Sequence, residues 1–177
     1  MKVLLLSLLL GLSGIFTAHA AEMEAVQAAK VHLKNILTNN AAGLQKSYAK
    51  EVTLMPGHEF TKPEYGLAND KARKEAVTVT REALVDAIAK KLMGRPKPPE
   101  EKLDAKLGSV QFEALESNEG DFAVDAADEA ATSDGKFHFK ITKNDVVLKV
   151  SPPNEDFAML HLRKVDERWV IVSEYLD

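Results

Sequence analysis

Phe157-Ala158-Met159-Leu160-His161-Leu162-Arg163-Lys164-Val165-Asp166-Glu167-Arg168-Trp169-Val170-Ile171-Val172-Ser173-Glu174-Tyr175 reads as two strands joined by a tight turn at Asp166-Glu167. Aliphatic and aromatic residues dominate both halves, and the two acids between them are turn formers. In the first half His161 shares a face with Phe157, Met159 and Arg163, while Ala158, Leu160 and Leu162 lie opposite. Both faces are therefore partly apolar, as expected of a central strand covered on both sides.

Upstream of this hairpin the period of two persists. Val110, Phe112 and Ala114 alternate with Gln111, Glu113 and Leu115, and Phe122, Val124 and Ala126 form a second row after a turn at 118–121. A turn at 132–135 precedes a third row, Phe137, Phe139 and Ile141. The next apolar row, Val146, Leu148 and Val150, falls on even numbers, so 143–145 must hold a bulge or a turn.

The first half of the chain has helical spacing. Over 22–37 the apolar residues Met23, Val26, Ala29, Leu33, Ile36 and Leu37 recur at steps of three and four. Asn40 can cap a second, shorter helix to residue 48, in which Leu44 and Tyr48 share a face and Gly43 weakens the interior. Val52 and Leu54 mark a short strand at 51–55, ended by Pro56-Gly57. Residues 58–69 read as a structured loop and 70–75 as one helical turn. The helix at 80–93 has Thr80 as cap, Leu84, Val85, Ile88 and Leu92 as its stripe, and Gly94 and Pro96 as stops. Leu103 and Leu107 indicate a further short helix ending at Gly108. Helices followed by a run of antiparallel strands predict an α+β layered domain. There is no internal repeat, and a single core is expected.

The whole chain of 177 residues carries 23 Lys and Arg against 27 Asp and Glu, a net charge of -4, which offers no basic field for nucleic acid. Cysteine is absent, which excludes disulfides, thiolate metal sites and cysteine nucleophiles. Residues 1–20 have the form of a cleavable signal peptide: Lys2, an uncharged apolar run to Phe16, then Ala18-His19-Ala20. The run of about fourteen residues is short for a bilayer-spanning helix. Residues 21–177 are thus expected to be one exported domain, periplasmic or extracellular, with no stable membrane insertion after cleavage.

Two segments resemble a known family. Asn39-Asn40-Ala41-Ala42-Gly43-Leu44-Gln45-Lys46-Ser47-Tyr48-Ala49-Lys50-Glu51-Val52 resembles the second helix and first strand of the nuclear transport factor 2-like superfamily, and 162–175 resembles its closing hairpin. That superfamily includes ketosteroid isomerases, polyketide cyclases and scytalone dehydratases. The resemblance implies N-terminal helices packed in a strongly curved antiparallel sheet, a cone-shaped roll with a pocket at its open end. It implies a small apolar or amphipathic ligand in the cone, or a homodimeric interaction module. The alternative it implies is an isomerase, dehydratase or cyclase using His and Asp for proton transfer. The isomerases' aspartate base with a Tyr and protonated-Asp oxyanion hole has no residue-by-residue match here, and a fold alone does not carry a function.

The candidate residues follow from chemistry and position. His58 and Glu59 lie in the loop after the first strand, where an imidazole could act as a base or simply hydrogen-bond locally. Tyr48 and Tyr65 could give hydroxyls to a pocket or bury a ring with a wet edge. His161 is the histidine best placed to lie inside, as a satisfied core residue or a proton carrier. Asp128 continues the row of Phe122, Val124 and Ala126, so it is either a desolvated carboxylate or a solvated turn acid. His32, beside the stripe of the first helix, is expected to be solvated or half-buried, and His138, opposite two phenylalanines, exposed. His58 and Glu59 are adjacent rather than spaced as ligands, so no metal and no cofactor is expected.

Overall fold

The computed structural model describes residues 3–67, 75–116, 119–125, 132, 134–143, 145–153 and 158–176, with side chains from residue 19 onward. Helix α1 (Val3–Leu37) ends as Asn39 enters the left-handed region at φ 49°. The Asn40 side chain then accepts from the Gly43 amide and starts α2 (Ala41–Ser47), as its position predicts. Helix α2 runs directly into β1 (Tyr48–Leu54), and Val52 and Leu54 are buried on one face.

Strand β2 (Val77–Thr80) pairs antiparallel with β1 and hands over to α3 (Arg81–Leu92). This strand was not anticipated, because four residues give too little alternation to register. Thr80 caps α3 through the Ala83 amide, and α4 (Glu100–Ser109) follows the proline-rich link. The remaining strands are β3 (Gln111–Glu116), β4 (Gly120–Asp125), β5 (Lys136–Ile141), β6 (Asp145–Ser151), β7 (Ala158–Val165) and β8 (Arg168–Tyr175). Residues 70–74 of the expected turn and candidate Asp128 lie outside the described residues.

Among the described residues six strands form one curled sheet in the order β2-β1-β8-β7-β6-β3, while β4 and β5 pair only with each other. The architecture is α+β. The sheet is mixed rather than wholly antiparallel, because β1 runs parallel to β8. Alternation within a strand carries no information on the direction of its neighbour.

The helices cover one face of the sheet. There Leu44, Leu54, Leu84, Ile88, Leu148, Leu160, Leu162 and Ile171 make the larger apolar cluster. On the opposite face Met55, Phe137, Phe139, Ile141, Val147, Met159 and Tyr175 make a second one, covered by the β4–β5 hairpin. Two apolar clusters on either side of one sheet replace the single core expected. The two-sided apolar pattern of β7 is the sequence trace of this arrangement.

Strand β8 carries the irregularity that shapes the interior. His161 pairs with Ser173 and Leu162 with Ile171, so Val172 has no partner on β7 and forms a bulge. Before the bulge Trp169 and Ile171 face the helices; after it Glu174 does, and Tyr175 faces the hairpin. One extra residue therefore directs a carboxylate into the larger cluster.

Candidate functional site

Four polar side chains meet beneath the helices. Tyr48, at the start of β1, places its hydroxyl 3.0 Å from both oxygens of Glu174. His58, in the turn after β1, places Nε2 3.2 Å from Glu174 Oε1. His32 of α1 lies with Nε2 3.4 Å from the Tyr48 hydroxyl and 3.8 Å from Glu174 Oε2. All four residues are at most 1% exposed.

The direction of each bond follows from one backbone amide. The N–H of Phe60 donates to His58 Nδ1 at 3.1 Å, so Nδ1 is the acceptor and the ring proton sits on Nε2. That proton is donated to Glu174 Oε1, and the Tyr48 hydroxyl donates to the same carboxylate. His32 Nε2–H then donates to the Tyr48 oxygen, leaving the lone pair of Nδ1 without a partner among the described residues. Burial pushes the His32 imidazole down to about 4 despite the pull of Glu174 in the other direction, so it is neutral at pH 7. Burial and the neighbouring carboxylate push the Tyr48 phenol well above its ordinary value.

Two histidines and a carboxylate suggest a metal triad, but the proton on His58 Nε2 occupies the nitrogen that would have to ligate. Consistently, no group of three or more His, Asp or Glu among the described residues has a geometry to hold a metal ion.

His161 does not join this cluster. It lies on the other face of the sheet, buried under Phe139, whose ring meets it edge-on at 5.9 Å. Its Nε2–H donates to Asp145 Oδ2 at 2.9 Å, and its Nδ1 accepts from the Ser173 hydroxyl at 3.2 Å. Arg163 holds the same carboxylate through Nε and Nη2, each at 2.8 Å, and the Thr142 amide donates to it at 2.9 Å. Burial opposes ionisation of Asp145, but these donors outweigh it and hold the carboxyl down at about 2. Ser, His and Asp in a row suggest a nucleophilic relay. Here all three are buried, and Arg163 draws the carboxylate into a structural ion pair. A relay needs space for an acyl group beside the serine.

Glu59 and Tyr65 form a third group at the loop surface. The Tyr65 hydroxyl donates to Glu59 Oε1 at 3.2 Å, Lys91 of α3 meets the same oxygen at 2.8 Å, and Lys62 pairs with Oε2. Burial works against the Glu59 charge, yet the two lysines bring its carboxyl down to about 2. Lys91 also lies over the Phe60 ring at 5.4 Å, so this group fastens the loop to α3.

Of the sequence candidates, Tyr48 and His58 come together, Glu59 and Tyr65 pair beside them, and His161 is separate. His138 is exposed against Asp134, as alternation predicts. His32 is wholly buried rather than solvated, because it turns inward with Ala25 and Ala29 while Met23 points out at 58% exposure. Glu174 was not a candidate at all: uninterrupted alternation sets it opposite Trp169 and Ile171, and only the bulge at Val172 reverses that.

Outside these clusters an open groove of about 400 Å³ runs between α1, α2 and the hairpin of β7 and β8. Ala28, Val31, Leu162, Trp169 and Ile171 give it an apolar floor. Trp169 is anchored there by its Nε1–H, which donates to Glu24 at 3.2 Å.

No family model matches the chain, and no curated protein matches it. Among the solved structures similar to it are two nuclear transport factor 2-like proteins of unknown function. The one from Pseudomonas putida KT2440 is 12% identical over 88% of this chain and 84% of its own, with a TM-score of 0.39. The one from Shewanella baltica OS155 is 10% identical over 90% of this chain and 91% of its own, with a TM-score of 0.40.

Proposed function

We propose that this chain is an exported, non-catalytic domain that holds a small apolar or amphipathic molecule. The observation that carries the reading is the closure of its proton-carrying groups. A proton-transfer enzyme needs two such groups converging on a space that substrate can enter. Tyr48, His58, Glu174 and His32 converge on one another instead, buried and hydrogen-bonded within the cluster. Their role is then to hold α1, β1 and β8 in register, while binding falls to the open groove. Export rests on the form of residues 1–20.

Native mass spectrometry of the full chain recovered from an exporting bacterial host tests both parts. The expected species begins at Ala21 and carries a small-molecule adduct. The adduct should persist in His58→Gln and be lost in Ala28→Phe, which fills the groove. A different adduct on His58→Gln, substrate where the native chain carries product, would overturn the non-catalytic reading.

A further inference from the structure

The groove between α1, α2 and β8 has an apolar floor and two cations on its lining, Lys46 and Arg168. Among the described residues neither has an ion-pair partner. In a chain of net charge -4 this is a local reversal of sign. The acid on the same lining, Glu167, is drawn towards Lys164 at 3.5 Å, and Lys164 is itself held by Glu24 at 2.8 Å. Other polar groups on the lining are neutral: Asn35, already bonded to Asn40 and Ser47, and Ser47, which donates to the Gly43 carbonyl.

We infer that this groove binds a small amphipathic carboxylate. Its apolar tail lies on Val31, Trp169 and Ile171, and its head group is met by Lys46 and Arg168. The inference rests on the small-ligand reading above and adds the place and the charge. Val31 is 58% exposed, so a tail that covers it removes apolar surface from water. A volume of about 400 Å³ lies at the lower end of small-molecule sites, which suits a short chain rather than a multi-ring ligand. The long stems of Lys46 and Arg168 let the charged ends stay at the wet rim while still reaching a carboxylate.

Trp169 is the single tryptophan of the chain, so its fluorescence reports on this groove alone. Titration with decanoate and, separately, with decanol is the test. Decanoate is expected to shift the emission saturably, with decanol about a hundredfold weaker, the worth of two charge-assisted contacts. Lys46→Gln and Arg168→Gln should each weaken decanoate by about tenfold and leave decanol unchanged, whereas Glu167→Gln should tighten decanoate. Equal binding of acid and alcohol, insensitive to all three variants, would overturn the carboxylate assignment and leave the small-ligand reading standing. No response to either compound at millimolar concentration would overturn the groove as the site. If the native chain still carried an adduct, the proposed function would survive that result with its ligand elsewhere. Without an adduct both would fall.

Discussion

Tyr48→Phe removes one oxygen atom from the interior and leaves the ring packed among Leu44, Val52 and Leu54. The lost hydroxyl is the donor to both oxygens of Glu174 at 3.0 Å. A hydrogen bond to a charged group contributes about 1.5–3 kcal/mol. The carboxylate would keep the His58 donor at 3.2 Å, while His32 would lose its nearest acceptor and face the carboxylate only at 3.8 Å. Loss of the 3.4 Å bond to His32 adds up to about 1 kcal/mol, so the variant should be about 1.5–4 kcal/mol less stable at pH 7. Urea unfolding with an unchanged m-value reads the difference directly. Combined with Glu174→Gln in a double-mutant cycle, the pair should show a coupling of at least about 1 kcal/mol. A loss under about 0.5 kcal/mol, or strictly additive effects, would refute the bond pattern deduced for the buried cluster.

Four further outcomes follow from particular residues. His32 binds its proton at about 4 when folded and near 6.5 when unfolded, so acid favours the unfolded chain. Stability should therefore fall by roughly 3 kcal/mol as pH drops from about 6.5 to 4, and urea midpoints of His32→Gln should lack that slope. Asp145 has its carboxyl held at about 2, below the unfolded value of 3.8. Its contribution is present above pH 3.8 and lost as pH falls through about 2, so Asp145→Asn should be less stable at pH 7 and flatter in that acid window. Gly43→Ala would set a Cβ 2.2 Å from Asn35 Oδ1 and displace a side chain bonded to Asn40 and Ser47. Two lost bonds outweigh the gain in helix propensity by about 1 kcal/mol, and thermal unfolding should show the sign reversed in an Asn35→Ala background. Asp166 and Glu167 turn at φ 48° and 60°, so Glu167→Gly should raise stability by about 0.5–1 kcal/mol, with no gain if the turn were relaxed already.

Capping and periodicity were legible because they are properties of neighbouring residues. Asn40 and Thr80 start their helices, and β8 runs from Arg168 to Tyr175 as its composition predicts. The phase change between Ile141 and Val146 marks a real crossing: Phe139 and Ile141 face the hairpin-side cluster, and Val146 and Leu148 the helix side. Less of the candidate site was visible. Tyr48 and His58 were found from their chemistry, but the carboxylate that joins them was not, and His161 proved to belong to the opposite face.

The amino-acid sequence by itself determined where α2, α3 and β8 begin, and which residues of an unbroken strand share a side. Each of those is decided within a few residues by backbone geometry and the placing of apolar groups. Tertiary structure alone decided the parallel pairing of β1 with β8, the departure of β4 and β5 from the main sheet, and the bulge at Val172. The Tyr48–Glu174 bond spans 126 positions, a distance over which no local period persists. Its partners were chosen by which chain segments pack together, and the buried carboxylate with them.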